Sequence, residues 1–235
     1  MHQVLSRSRQ FLAARLTPGE VYGLYLTAGV VLIMAAGLVF GFLAYGVASE
    51  APLTLLDARL AQHFHRYADS GWTVLMLALT NAHATLPLLV WAALFGIYLY
   101  SARAHYWLLT LALAVPGGMT LNVLLKHTFQ RMRPQFDEPL VTLTTYSFPS
   151  GHANGATLLY GMLAAYWVCR CTRPAARVAI CTAAAAMVLL VAFSRVYLGA
   201  HYFSDVVAGI FGGSAWLTLC VTATSTLRRH RSRQG

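Results

Sequence analysis

Charged side chains are scarce in this sequence. Asp, Glu, Lys and Arg together make up 10% of the 235 residues, whereas hydrophobic residues make up 58%. A soluble domain carries about 25% charged residues. Because so few side chains favour water, most of the chain must contact lipid or other apolar side chains. The composition therefore argues against an ordinary soluble protein and predicts an all-α, polytopic membrane helical bundle.

Acidic residues are the scarcest charged type, with only seven Asp and Glu in the chain. They form no acidic cluster of the kind that holds a pair of metal ions, so we predict neither a metal nor a cofactor. The four cysteines lie in or beside apolar runs, and Cys169 and Cys171 lack the partner ligands of a zinc site. We expect the cysteines to be unpaired and buried.

Long uncharged runs predict about six transmembrane helices. A run of roughly 20 apolar residues suffices to cross a bilayer. The first run, Val21–Val47, is too long for the core of a cleaved signal peptide, so it predicts a retained anchor. The second span is predicted to end near Tyr100, and the remaining four to cover about 107–125, 153–168, 178–193 and 206–226.

The segment between the first two spans has a different pattern. Leu56, Leu60, Phe64 and Tyr67 recur at steps of three and four residues among charged side chains. This periodicity predicts an amphipathic helix that lies on the membrane surface.

Basic residues give the chain a formal charge of +10. They cluster at the chain ends and in short loops, which favours a membrane protein over a nucleic-acid-binding one. With about six spans, the N-terminal arginines, Arg103, the loop 170–177 and the C-terminal arginines share one side. The positive-inside rule makes that side cytoplasmic. The polar loops 126–150 and 195–205 then share the opposite side.

The same patterns divide the chain into three parts. Residues 1–20 are predicted to form a cytoplasmic N-terminal segment, residues 21–227 the membrane domain that carries the function, and residues 228–235 a basic cytoplasmic tail. No repeat, linker or low-complexity segment interrupts this organisation.

Two segments on the non-cytoplasmic side carry groups that suit an anion. Lys126 ends the third span, and Arg133 offers a planar fork that matches phosphate oxygens. Ser150 is a candidate N-cap for the fourth span, where free N–H groups and the helix dipole favour an anion. Gly151 allows close backbone approach, and His152 would stand beside the anion. Taken alone, these residues also fit a cation at the lipid interface and an ordinary capped helix.

A third segment supplies a histidine and a carboxylate. His201 and Asp205 are four positions apart, so a helix would place both on one face. Asp205 would fix the imidazole tautomer and leave the other ring nitrogen free to attack. Arg195 adds a second guanidinium, although a purely structural His–Asp bond has the same spacing.

Together, the three segments favour phosphoryl transfer. Its transition state spreads negative charge over three oxygens, which fixed cations and N–H groups stabilise. Without an acidic metal site, the positive charge must come from side chains, and His201 is the expected nucleophile.

These segments resemble the signature of the type 2 phosphatidic acid phosphatases, a superfamily that also includes the vanadium haloperoxidases. The three parts of the signature all match in order: Lys126 with Arg133-Pro134 after six residues; Pro149-Ser150-Gly151-His152; and Ser194-Arg195 with His201 after five residues and Asp205 after three more. The long apolar runs argue against the soluble, vanadate-binding branch.

The resemblance implies a role for each matched residue. His201 would attack phosphorus and form a phosphohistidine, Asp205 would orient it, and His152 would protonate the leaving oxygen. The phosphate oxygens would be held, without a metal, by Lys126, Arg133, Ser150, Gly151 and Arg195.

The same resemblance implies a lipid phosphate substrate and membrane lipids as surroundings. An outward-facing enzyme of this size suits lipid-carrier recycling in the bacterial inner membrane, so undecaprenyl diphosphate is the first predicted substrate, with the site facing the periplasm. Phosphatidylglycerophosphate, phosphatidate and lipid A phosphates are alternatives, as is a lipid phosphotransferase. A transporter or lipid-binding protein without catalysis is the non-enzyme alternative, since intramembrane charges also mark such pathways.

Overall fold

The computed structural model describes residues 23–49, 52–66, 71–232 and 234. The predicted N-terminal segment 1–20 and Tyr67 lie outside these residues. Within them the chain forms eight α-helices and no strand. The helices are α1 (Leu24–Ala48), α2 (Pro52–Arg66), α3 (Trp72–Ala82), α4 (Thr85–Ser101), α5 (His105–Phe129), α6 (Gly151–Arg170), α7 (Pro174–Tyr197) and α8 (Phe203–Ser232).

The helix lengths and compositions fit a membrane. Helices α1, α5, α7 and α8 are each long and apolar enough to cross a bilayer, and α3 with α4 forms a fifth candidate that is bent by 55° at a short break. The predicted all-α membrane bundle is confirmed. By length and apolar composition, four or five spans are found in the described part of the chain. The sequence predicted about six, and the additional predicted span corresponds to α6.

Helix α6 has a mixed composition because it lies inside the bundle. It packs against α5, α7 and α8, so many of its side chains contact protein instead of lipid. Tyr166 is fully buried and meets Phe95 and Trp107 edge to face, with ring centroids 5.6 Å apart in both pairs. Burying a polar residue such as Asn154 therefore costs little free energy here, because the side-chain amide of Asn154 donates to the carbonyl of Gly118, 3.2 Å away.

Glycines let α8 approach the start of α6 closely. A Cβ on Gly209 would lie 2.6 Å from the Ser150 carbonyl oxygen, and one on Gly213 would lie 3.0 Å from the Asn154 side chain. The Ser150 N–H donates to the Asp205 carbonyl at 2.9 Å. Small residues at this crossing thus bring the first turns of both helices together.

Helix α2 confirms the predicted amphipathic helix. Leu60 and Phe64 are half-buried, whereas Leu56 is 48% exposed. The residues that α2 buries most completely are Ala61 and Asp57. The periodicity of the apolar residues made no prediction for Asp57, because it cannot register a buried partner elsewhere in the chain.

The cysteines are free, as predicted, but burial was predicted correctly only for Cys220. Cys169 and Cys181 are exposed and Cys171 is half-buried. An apolar run does not distinguish a residue that faces lipid from one that faces another helix.

Candidate active site

The predicted site residues converge on one cavity of about 310 Å³. It forms where the end of α5, the start of α6, the end of α7 and the turn before α8 meet. Six predicted residues line it: Lys126, Arg133, Gly151, His152, Arg195 and His201. The other two, Ser150 and Asp205, are fully buried beside it.

His201 and Asp205 face each other, but not on one helix as predicted. His201 lies in the turn before α8, and Asp205 lies in the first turn of that helix. Asp205 Oδ2 is 3.5 Å from His201 Nδ1 and accepts from Ser147 Oγ and from the Tyr202 N–H at 2.9 Å. His201 Nδ1 has no hydrogen-bond partner at this separation, and a catalytic hydrogen bond often shortens only when substrate binds.

The other ring nitrogen of His201 is directed at Arg133. Arg133 Nη1 lies 3.2 Å from His201 Nε2 and donates to the Ala200 carbonyl at 2.5 Å. Burial, together with the positive charges of Arg133, Arg195 and Lys126, lowers the pKa of His201 well below its usual value. The imidazole is therefore neutral at neutral pH, as a nitrogen nucleophile must be.

Backbone carbonyls of the loop after α5 hold two of the cations. Lys126 Nζ donates to the Tyr146 carbonyl at 2.5 Å. Arg133 donates to the Thr145 carbonyl at 2.6 Å and to the Tyr146 carbonyl at 3.1 Å. These neutral acceptors orient both side chains without cancelling their charge.

Arg195 is the most buried of the cations, with 2% of its surface exposed. Its Nη1 donates to Thr80 Oγ1, whereas its Nε and the nearby Ser150 Oγ have no hydrogen-bond partner. Across the described residues, Lys126, Arg133 and Arg195 have no carboxylate within 4.0 Å. Buried cations and unpaired polar atoms of this kind are costly unless an anion joins them.

The end of α3 and the break before α4 also contribute to the site, although no sequence motif predicted this. Thr80 binds Arg195, and its backbone interacts with the ring of His152. His83 lines the cavity and is held by the Leu79 carbonyl at 2.8 Å and by Tyr160 Oη at 2.6 Å. The polar residues Thr80, Asn81 and His83 within an apolar stretch were the available signal.

A second group of residues that the sequence motifs did not predict lies behind Asp205. Arg131 Nη1 donates to Asp205 Oδ1 at 2.6 Å, and Arg131 Nη2 donates to Asp57 Oδ2 at 2.8 Å. Arg131 is one of the six unspecified residues between Lys126 and Arg133. The separation of Asp57 and Asp205 in the chain left no local signal for this pairing.

No group of three or more His, Cys, Asp and Glu side chains is placed to hold a metal ion in the ranges that the structure describes. Donors and cations line the part of the cavity around His201, and no Asp or Glu of the described residues lines it; Asp205 lies behind His201.

Known proteins similar to this chain are membrane lipid phosphatases. The model of the PAP2 superfamily matches residues 107–229. Phosphatidylglycerophosphatase B of Bacillus subtilis is 30% identical over 67% of this chain and 78% of its own length. Lipid A 1-phosphatase of Rhizobium etli is 30% identical over 73% of this chain and 72% of its own, and undecaprenyl-diphosphatase of Sulfolobus acidocaldarius is 28% identical over 60% and 67%.

The fold is also similar to solved structures. The crystal structure of a transmembrane PAP2 type phosphatidylglycerolphosphate phosphatase from Bacillus subtilis matches with a TM-score of 0.73 and 27% identity, covering 80% of this chain and 94% of that one. Aquifex aeolicus LpxE shares the fold at a TM-score of 0.56 and 21% identity, covering 71% and 94%. The chain therefore belongs to the PAP2 superfamily and is a membrane phosphatase, a hydrolase of phosphoric esters.

Proposed function

We propose that this enzyme removes phosphate from a lipid phosphate or diphosphate through a phosphohistidine on His201. The observation that carries the proposal is the set of cations without carboxylate partners around His201, together with the unpaired Arg195 Nε and Ser150 Oγ. A phosphate group supplies the missing negative charge and the missing acceptors in one ligand. Substrate binding then relieves the cost of burying these groups.

The reaction runs in two steps. In the first, His201 Nε2 attacks phosphorus, the bond from phosphorus to the lipid oxygen breaks, and His152 gives that oxygen its proton. In the second, His152 takes a proton from water, the water oxygen attacks phosphorus, and the P–N bond breaks to release phosphate. Asp205 stabilises the positive charge that the phosphorylated imidazole carries.

The cations and N–H groups act mainly in the transition state. Lys126, Arg133 and Arg195 hold the three equatorial oxygens of the transferred phosphoryl group, with Ser150 and the Gly151 N–H at the start of α6. Gly151 suits this position because a Cβ there would lie 3.4 Å from Asn122 and would narrow the cavity.

The cavity wall favours a lipid over a soluble phosphate ester. On the side of α4 and α5 it is lined by Leu88, Met119 and Val123. Val123 is 51% exposed on the surface of the bundle, so the wall continues toward the lipid. A substrate tail can leave the cavity along this apolar side while the phosphate stays with the cations.

The site faces away from the cytoplasm in this proposal. Asp205 lies in the first turn of α8, whereas Arg228 and Arg229 lie near its other end, about 35 Å away at 1.5 Å per residue. Helices α5 and α7 run in the opposite direction, since each begins beside an arginine-containing loop and ends at the site, so arginines and site again lie at opposite ends. The positive-inside rule then directs the site to the periplasm of a bacterial inner membrane.

Undecaprenyl diphosphate is the first proposed substrate, in line with lipid-carrier recycling. Phosphatidylglycerophosphate is the second candidate, because both the B. subtilis relative at 30% identity and the structure with a TM-score of 0.73 carry that activity in their names. Both substrates present a terminal phosphate beside a lipid, so the same cavity and the same two steps serve either.

A lipid panel tests the proposal. Purified enzyme in detergent with a chelator is given undecaprenyl diphosphate, phosphatidylglycerophosphate, phosphatidate and lipid A, and phosphate release is measured. His201→Ala should abolish release, whereas His105→Ala, an exposed histidine at the opposite end of α5, should retain it. Equal release by wild type and His201→Ala, or loss of release on chelation, would overturn the proposed mechanism. Lipid binding without any phosphate release would instead support the non-catalytic alternative.

A further inference from the structure

We propose that Asp57 of α2 is a positioning residue for the His201–Asp205 pair and that it acts through Arg131. The inference rests on the proposed function, and it extends the machinery beyond the matched residues 107–229 to a surface helix near the N-terminal end of the chain.

Asp57 has the surroundings of a fully engaged carboxylate. It has no exposed surface, and its Oδ1 accepts from the Ser204 N–H at 2.9 Å. Its Oδ2 accepts from Ser204 Oγ at 2.5 Å and from Arg131 Nη2 at 2.8 Å. Burying a charged carboxylate without exposed surface is unfavourable unless hydrogen-bond donors and a cation compensate it. The partners of Asp57 provide this compensation, so they fix the position of its side chain.

Arg131 connects this carboxylate to the one beside the nucleophile. Its Nη1 donates to Asp205 Oδ1 at 2.6 Å and to Ser204 Oγ at 2.8 Å. Its guanidinium lies 4.2 Å from the ring centre of Tyr202, and 11% of its side chain is exposed. Asp57 and Tyr202 thus fix the plane of the guanidinium, which in turn fixes Asp205 Oδ1.

The contact of Arg131 with Asp205 Oδ1 fixes the orientation of the carboxylate and therefore the position of Oδ2. With Oδ1 held by Arg131, Oδ2 meets Ser147 Oγ and the Tyr202 N–H and faces His201 Nδ1. One guanidinium also serves two carboxylates, so Asp205 keeps negative charge to stabilise the imidazolium of the phosphohistidine. If Asp57 became neutral, Arg131 would pair with Asp205 alone and draw that charge away from His201.

Asp57 also anchors α8, because it accepts the Ser204 N–H in the first turn of that helix. A purely structural anchor and a positioning residue predict different kinetics. Loss of an anchor lowers the amount of folded enzyme, whereas loss of positioning lowers kcat of the folded enzyme with KM unchanged.

The test compares Asp57→Asn with wild type in steady-state kinetics on whichever panel lipid is hydrolysed. Asn keeps the side-chain volume and removes the charge. We expect kcat to fall by about tenfold or more with KM within about twofold, as for other partners that orient a catalytic group. Phe64→Leu is the matched control, because Phe64 is a half-buried residue of the same helix outside the ionic network, and it should leave kcat unchanged.

A double-mutant cycle tests the route through Arg131. Arg131→Gln should lower kcat, and Asp57→Asn combined with Arg131→Gln should lower it little further, within about threefold of Arg131→Gln alone. Multiplicative losses would show that Asp57 acts independently and would overturn the inference.

If Asp57→Asn does not yield folded protein, Ser204→Ala takes its place, since it removes a hydroxyl that contacts both Asp57 and Arg131. It should lower kcat by about threefold or more. The inference would be overturned if the measured variant had the kcat of the wild type. It would also be overturned if only KM changed. If wild type itself released no phosphate from any lipid, the proposed function would fail instead.

Discussion

The guanidinium of Arg133 lies 3.2 Å from His201 Nε2, the ring nitrogen turned away from Asp205. A phosphorus atom attacked by this nitrogen would place its oxygens within reach of the same guanidinium. Arg133 is itself held by backbone carbonyls from two segments, Thr145 before α6 and Ala200 in the turn before α8. The nucleophile and a principal phosphate ligand therefore share one rigid frame.

Arg133→Lys should lower kcat/KM by about 100-fold or more, because an ammonium cannot reproduce the planar fork and its carbonyl contacts. Steady-state phosphate release measures the effect. Arg59→Lys, an exposed arginine of α2, is the control and should retain wild-type kinetics. A loss below about threefold in Arg133→Lys would show that a point charge is sufficient.

His152→Ala should lower kcat most for substrates with the poorest leaving groups. A general acid matters most when the departing oxygen is strongly basic. The loss in kcat should therefore be large for a lipid monoester and smaller for p-nitrophenyl phosphate, whose phenolate departs without a proton. Equal losses on the two substrates would contradict the assignment of His152 as the acid.

Thr80→Val should lower kcat because it removes the hydroxyl that orients Arg195 while keeping the side-chain shape. We expect a loss of about tenfold. Thr80→Ser restores the hydroxyl and should recover most of the activity, which a defect in packing alone would not. The comparison of the two variants in detergent, at matched melting temperature, measures the contribution of the hydroxyl.

His201 should stay neutral well below pH 6.5, because burial and the surrounding cations lower its pKa. Since the folded-state pKa is below the unfolded one, the unfolded chain takes up the proton first. The contribution of His201 to stability is thus complete above about pH 6.5 and declines as the pH falls further. In ¹³C-labelled enzyme, the histidine signal that His201→Gln removes should not titrate between pH 8 and about 6; a midpoint near 6.5 would contradict this prediction.

Gly209→Ala should destabilise the bundle by about 2 kcal/mol through overpacking and lower activity as well. Its Cβ would meet the Ser150 carbonyl at 2.6 Å and separate the first turns of α6 and α8. Gly37→Ala on α1, where the added Cβ meets nothing within 4 Å, is the control. Thermal unfolding in detergent compares the two variants, and equal melting temperatures would show that the crossing tolerates a Cβ.

Individual elements show how far sequence patterns reach. The long apolar runs predicted α1, α5, α7 and α8 within a few residues, because the bilayer imposes a length and a composition on each span. Asn81, His83 and Pro87 interrupt the apolar pattern, so the start of the second span could not be predicted, and the structure has a bend of 55° there between α3 and α4. The periodicity of α2 predicted an amphipathic helix but not the burial of Asp57.

The sequence by itself determined the membrane bundle, the approximate ends of most of its helices and eight of the residues that line or adjoin the cavity. Those features follow from local composition and from motif spacing, which each segment carries on its own. Only the tertiary structure decided that Thr80 holds Arg195, that His83 borders His152, and that Arg131 joins Asp57 to Asp205. These contacts link residues far apart in the chain, so helix packing creates them and no single segment encodes them.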